Sequence, residues 1–331
     1  MGVTRTGQLA SGIWGDHSAL IDWCEQNYHV TRYIAEFTNT LSKFVFNPFR
    51  YLTPSFDPLT AFDLKPKDLL TIWSLFGSFF CSRSCFQHNS IPFVSMAAYG
   101  FVHVLKQGMA PRLSLAYAGM GLVGVGSFLF HATLKWEFQL ADELPMIWFS
   151  SYLLWSLFNS NPGYDMSVNA WLGLGSLITV DLALSLLYMA YPNPLCHQAL
   201  FACILLASLK RTNHLVGNVL PEQHRSTVNR LYLTGAASFL AGFLLWNVDN
   251  EMCDSIENIR KVWGWWGYGL ILEGHAWWHL LTGVGTYRMV TASILLLATI
   301  KSTDPSERFE VVDTFGGLLP YVRRVSADKT K

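Results

Sequence analysis

The sequence predicts an all-α integral membrane protein, a bundle of seven transmembrane helices, and three observations carry that expectation. Only 14% of the 331 residues are charged, where a soluble domain carries about a quarter. Hydrophobic residues make up 51% of the chain and the mean hydropathy is +0.26. Apolar runs of spanning length recur between short polar, proline-bearing or charged breaks. The 23 basic side chains balance 23 acidic ones, which leaves no basic surface for nucleic acid, and the apolar content argues against disorder.

A spanning helix needs about 20 mostly apolar residues, because each residue rises about 1.5 Å through a core about 30 Å thick. Residues 1–30 are polar throughout and hold no apolar core of signal-peptide length, so they read as a lumenal segment, with targeting left to the first membrane helix. The first span is split. Thr31 to Phe44 and Ile91 to Leu105 are each too short to cross alone but would make one helix if joined. Residues 45–90 between them carry Pro48, Pro54, Pro58 and Pro66, a serine-rich end, and an apolar run from Leu69 to Cys81 that is too short to span. This segment reads as a loop or re-entrant insertion, or as retained non-coding sequence. Six further spans follow, from Leu113 to Leu134, Leu144 to Phe158, Val168 to Ala190, Leu195 to Leu209, Leu231 to Val248 and His275 to Ile300. The helical domain thus covers 31–301, and residues 302–331 read as a cytosolic tail.

Basic residues set the orientation. With the split helix taken as one span, one side collects Lys106, Arg112, Lys210, Arg211, Arg225, Arg230, Lys301, Arg308, Arg323, Arg324, Lys329 and Lys331, and the other only Arg5, Arg32, Lys135, Arg260 and Lys261. The N-terminus is expected in the lumen and the C-terminus in the cytosol. Six scattered cysteines without a C-x-x-C pattern exclude a disulfide scaffold and leave room for one or two bridges.

Histidines four apart on a helix share a face one turn apart and can share a metal, as His275 and His279 do in Gly-His-Ala-Trp-Trp-His. Alone, that pattern more often marks two interfacial histidines. Ser127 and His131 repeat the spacing, and the carboxylates Asp142 and Glu143 open the next span. Topology brings all of these groups to one side and one depth of the membrane, which unrelated core histidines would have no reason to share. Three neutral imidazoles with an open fourth position describe a catalytic zinc suited to hydrolysis. Asp142 is then the proton carrier and Ser127 the donor to the oxyanion, against the plainer readings of a helix N-cap and a packing residue. Asp22, Glu25, Asn27 and Glu36 form a second, oxygen-rich cluster that suits calcium or, equally, a solvated cap. Asp181, deep in a span, is assigned only an interhelical hydrogen bond.

These residues lie in three blocks, IDWCEQNYHVTRYIAEFTN from Ile21, GSFLFHATLKWEFQLADELPM from Gly126, and FLLWNVDNEMC with HAWWHLLTG between Phe243 and Gly283. In them the chain resembles the alkaline ceramidases, a branch of the seven-helix membrane hydrolases that also includes adiponectin receptors. The resemblance covers the chain except the insertion and the tail after about residue 302. It implies a zinc ion on His131, His275 and His279, with Ser127 and Asp142 catalytic. It also implies a calcium ion on Asp22, the Trp23 carbonyl, Glu25, Asn27 and Glu36. The reaction it implies is hydrolysis of ceramide, of the phytoceramide or dihydroceramide type, to a sphingoid base and a fatty acid in endoplasmic reticulum or Golgi membranes, with no obligatory protein partner. The insertion at 45–90 departs from the family pattern of an uninterrupted first helix. Cys24 and Cys253 fall in two of the blocks and, under the topology above, in lumenal loops, which suggests a disulfide. A lipid-sensing receptor would share helices and zinc, but the calcium-type cluster and the Trp277, Trp278 pair favour the ceramidase branch. A transporter would need a continuous polar path across the bilayer, whereas the ionisable groups gather at one end, apart from Asp181.

Overall fold

The computed structural model describes residues 12–41, 92–263 and 272–325. After an N-terminal segment of turns come α1 (Phe37–Leu41), α2 (Pro92–Lys106), α3 (Leu115–Thr133, entered through a 3-10 turn at Pro111–Ser114), α4 (Trp136–Phe158), α5 (Val168–Ala190) and α6 (Pro194–Asn218). Then follow α7 (Glu222–Glu251), α8 (Cys253–Trp263), α9 (Gly274–Lys301), and a hairpin of β1 (Arg308–Val312) and β2 (Tyr321–Val325). Among the described residues five helices are long and apolar enough to cross a membrane: Pro111–Thr133, α5, α6, α7 and α9. Helix α4 has the length, with 23 residues, but carries Glu137, Asp142 and Glu143 near its start, and α2 is apolar but only 15 residues long.

Helix α9 is the centre of the bundle. In its most apolar stretch 67% of residues are buried, against 17% in α5 and 22% in α6 and α7, whose outer faces are left for lipid. Helices α7 and α9 meet at glycines, since a Cβ built on Gly285 would lie 2.6 Å from the Gly235 carbonyl oxygen. Small residues let backbones pack tightly where lipid offers no hydrophobic drive between helices.

Several boundaries differ from the sequence expectation. Residues 31–36 are not helical, because Ala35 and Glu36 give their N–H groups to the carbonyls of Ala132 (2.9 Å) and His131 (3.0 Å) at the end of α3 rather than to a helix of their own. Helix α4 starts at Trp136 instead of Leu144, since its polar first turns find partners: Gln139 accepts from the Leu20 N–H at 2.8 Å and donates to Glu143 at 3.2 Å. Helices α6 and α7 run to Asn218 and from Glu222, so the charged break expected at 210–230 is mostly helix projecting beyond the apolar band. The insertion at 45–90 lies outside the described residues.

The tail is also structured. Strands β1 and β2 pair antiparallel, and the hairpin folds back on α2 and α9, burying Phe309, Leu319 and Val322 in the main core. The Tyr99 hydroxyl donates to Thr314 at 3.2 Å, and the Tyr321 ring stacks on His103 at 3.8 Å. Gly316 and Gly317, at φ of 67° and 85°, make the turn that β-carbon-bearing residues would resist. The all-α expectation omitted this sheet because two five-residue strands leave little hydropathy signal.

Candidate metal centre

His131 sits in the last turn of α3, and His275 and His279 lie one turn apart at the start of α9. All three are buried. The Nε2 atom of His131 is 3.0 Å from that of His279 and 3.3 Å from that of His275, and one ring nitrogen from each lies within 4.8 Å of the others, so together they could hold a metal ion. Behind His131, the Glu36 carboxylate accepts its Nδ1–H. That bond leaves His131 Nε2 with a lone pair aimed at the other two rings, the tautomer a metal requires. The backbone pairing of Glu36 with the His131 carbonyl is what brings the carboxylate there.

The rest of the wall follows from close approaches. Trp23 lies against His275, with ring centroids 4.1 Å apart. The start of α9 rests on the end of α7, because Gly274 gives its N–H to Asp249 at 3.1 Å and a Cβ there would come within 2.8 Å of Leu245 O. Helices α3 and α4 touch at Gly126, where a Cβ would lie 2.0 Å from Ala141 O and 2.8 Å from Asp142 N. Pro145 has no N–H to offer Ala141 O, so the α4 backbone is open at this point. The contact sets buried Ser127, next to Gly126 in sequence, beside the turn that carries half-buried Asp142. The N-cap of α4 is Lys135, which removes the capping explanation of Asp142.

Glu143, its sequence neighbour, faces elsewhere: it accepts from Gln139 and from the Tyr188 hydroxyl, and His197 Nε2 donates to its carbonyl at 2.9 Å. Asp181 takes a hydrogen bond from Ser151 of α4, the interhelical role expected of it.

The oxygen-rich cluster adjoins the histidines. Glu25 accepts the N–H groups of Thr38 and Asn39 at the start of α1, the second at 2.8 Å. Asn27 donates to Asp22 at 3.0 Å, and Asn39 donates to Glu36 at 3.3 Å. Glu25, Asp22 and Glu273 all act on Glu36 as like charges, and the buried Oε1 of Glu36 and Oδ1 of Asn27 have no hydrogen-bond donor. Crowded carboxylates with acceptor oxygens left over fit a hard cation. The Cys24–Cys253 disulfide, with Cα atoms 5.5 Å apart, fastens this segment to the first residue of α8.

Glu273 and Asp249 were not singled out from the sequence. Asp249 does stand in the third block, directly after the apolar run from Leu231 to Val248 that it terminates, which is the one signal that could have marked it.

A family model described as Ceramidase matches residues 15–54 and 87–323. The gap, residues 55–86, falls inside the segment that the sequence sets apart, and the match includes most of the hairpin, where the resemblance had been expected to stop near residue 302. The chain is 30% identical over 287 residues to alkaline ceramidase 3 of Mus musculus, covering 86% of this chain and 85% of that protein. It is 31% identical over 301 residues to alkaline ceramidase YPC1 of Saccharomyces cerevisiae, covering 87% and 80%. With an alkaline ceramidase of Arabidopsis thaliana it shares 22% identity over 95% of both chains. On the extent of the family match and on these identities, the chain belongs to the ceramidase family.

Proposed function

We propose that this protein is a zinc-dependent amidohydrolase that splits ceramide, of the phytoceramide or dihydroceramide type, into a sphingoid base and a free fatty acid. The observation that carries the reading is the convergence of three buried histidine nitrogens with a carboxylate fixing the tautomer of one. Glu36 acts through His131, holding its ring so that Nε2 faces His275 and His279. Bound on those nitrogens, zinc would polarise the amide carbonyl and lower the pKa of water to about 7. Asp142 takes a proton from the attacking water and returns it to the amide nitrogen as the C–N bond breaks, so water adds its oxygen to the acyl carbon and the amine leaves neutral. Ser127 donates a hydrogen bond to the developing oxyanion.

A calcium ion on Asp22, the Trp23 carbonyl, Glu25, Asn27 and Glu36 belongs to the same reading; the leftover acceptors of Glu36 and Asn27 support it. In the membrane, the five long helices are completed by α4 and by a first span joining the segments around α1 and α2, which makes seven. The N-terminus lies in the lumen of the endoplasmic reticulum or Golgi and the C-terminus in the cytosol.

The test is purified protein on a panel of ceramides, with metal content measured in parallel. Turnover that is lost with a zinc chelator and restored by zinc, together with about one zinc per chain, is expected. Full turnover in His279→Ala protein would overturn the assignment.

A further inference from the structure

The opposite end of the bundle holds a second polar site. Thr299 follows His279 by 20 residues on α9, about 30 Å along the helix. A cleft of about 430 Å³ opens there between α6, the start of α7, the end of α9 and the loop after α4. That volume lies in the range of small-ligand sites. Ser160, Asn161, Arg211, Leu215, Thr299 and Ile300 line it, and among the described residues Arg211 is the one charged side chain that does.

Arg211 gives Nε to the Leu157 carbonyl (3.2 Å) and Nη2 to the Ser160 hydroxyl (3.3 Å), and its guanidinium lies over the Phe158 ring. Two more cations grip the far side of the same loop. Lys301, only 5% exposed, donates to the carbonyls of Asn161 and Gly163 at 3.0 and 3.2 Å, and Arg112 sits over Tyr164. Among the described residues none of the three forms an ion pair with a carboxylate. Two donor groups are also left over: the Thr299 hydroxyl and the Nη2 of Arg112 are buried without a partner. Three half-buried or buried cations around one loop, none of them in an ion pair among the described residues, form a field that an anion would complete, and the guanidinium fork matches the oxygens of phosphate.

We propose that this cleft binds a phosphate group, presented by a lipid headgroup at the membrane surface or free in solution, with Arg211 and the Ser160 and Thr299 hydroxyls as its donors. The cleft lies toward the C-terminal ends of α6 and α9, two of the helices long and apolar enough to cross a membrane, and the end of such a helix is where it would meet lipid phosphates. The inference is independent of the chemistry proposed at the histidines.

Full-length protein in nanodiscs of phosphatidylcholine alone, and with phosphatidic acid added, provides the test, read as unfolding temperature. A saturable rise with phosphatidic acid that is absent with inorganic phosphate assigns a headgroup; the same rise with phosphate alone assigns a free anion, and either supports the site. Arg211→Gln should weaken the response about tenfold, and Arg211→Lys less, since the charge remains while the fork is lost. Ceramide turnover in both variants reports their folding. No rise with either probe, an equal rise with oleate, or an undiminished rise in Arg211→Gln would overturn the proposal. Should Arg211→Gln fail to fold, a photoactivatable phosphatidic acid on the unaltered chain decides it: labelling within residues 211–221 and 295–301 supports the site, and labelling elsewhere refutes it.

Discussion

Glu36 is the residue on which the two clusters meet. It accepts the Nδ1–H of His131, is fully buried, and feels the charges of Asp22, Glu25 and Glu273. Replacing it by glutamine keeps the size but removes the charge that holds the imidazole. The expected result is a loss of about 10- to 100-fold in metal affinity or turnover, the usual cost of losing such a partner. Metal content and kcat/KM measured on Glu36→Gln protein check it, and a rate within twofold of the unaltered protein would show that Glu36 is a bystander. Gly126 carries a second prediction. A methyl group there would meet Ala141 O at 2.0 Å, so Gly126→Ala must push α3 and α4 apart at the turn bearing Asp142. Overpacking of this kind costs about 1–3 kcal/mol. A lower unfolding temperature together with reduced turnover is expected, and an unchanged rate would place Asp142 outside the reaction.

Among the elements, the N-terminal segment depends on links across long sequence separations. Ser18 and Ala19 donate to the Leu134 carbonyl, Leu20 to Gln139, and Cys24 is bonded to Cys253. Opening a disulfide that closes so long a loop typically costs about 2–4 kcal/mol. Cys253→Ser should therefore lower the unfolding temperature and loosen Trp23 from His275. Reductant should shift the unaltered protein toward the variant and leave the variant unmoved; an equal shift in both would argue against the bond. Helix type was legible throughout α5, α7 and α9, where long apolar stretches have one reading. Helix ends were not, because hydropathy registers the lipid boundary, whereas α4 and α6 extend past it on charged and polar turns held by Gln139 and Arg211.

The whole molecule is organised around α9, which carries the histidines at one end and receives the hairpin along the other half. Because Phe309, Leu319 and Val322 are buried against it, and each buried side chain is worth about 1.5–3 kcal/mol, removing residues 304–331 should lower stability by several kcal/mol. Thermal unfolding of that truncation checks it, and an unchanged midpoint would make the hairpin an appendage. Helices α1 and α2 both lie against α3 and α9, on either side of the segment that interrupts the family match. Deletion of residues 45–90 is thus expected to join them into one span and to raise folded yield and turnover. A deletion protein that is less stable or less active than the full chain would make the segment a working part of the structure.

The sequence by itself determined that the chain is mostly helical, with helices apolar enough to cross a membrane, and which three histidines could share a metal ion, since hydropathy and the spacing of four are local properties that survive in any packing. It also marked Asp22, Glu25, Asn27 and Glu36 as an oxygen-rich group without saying what they serve. Only the tertiary structure decided that Glu36 belongs to His131 as well, because that contact rests on Ala35 and Glu36 abandoning a helix to pair with the end of α3. The same holds for Asp249 beneath Gly274 and for the unpaired cations around residues 157–164. Each is a contact between segments far apart in sequence, chosen by competition among backbone and charged partners that no local pattern records.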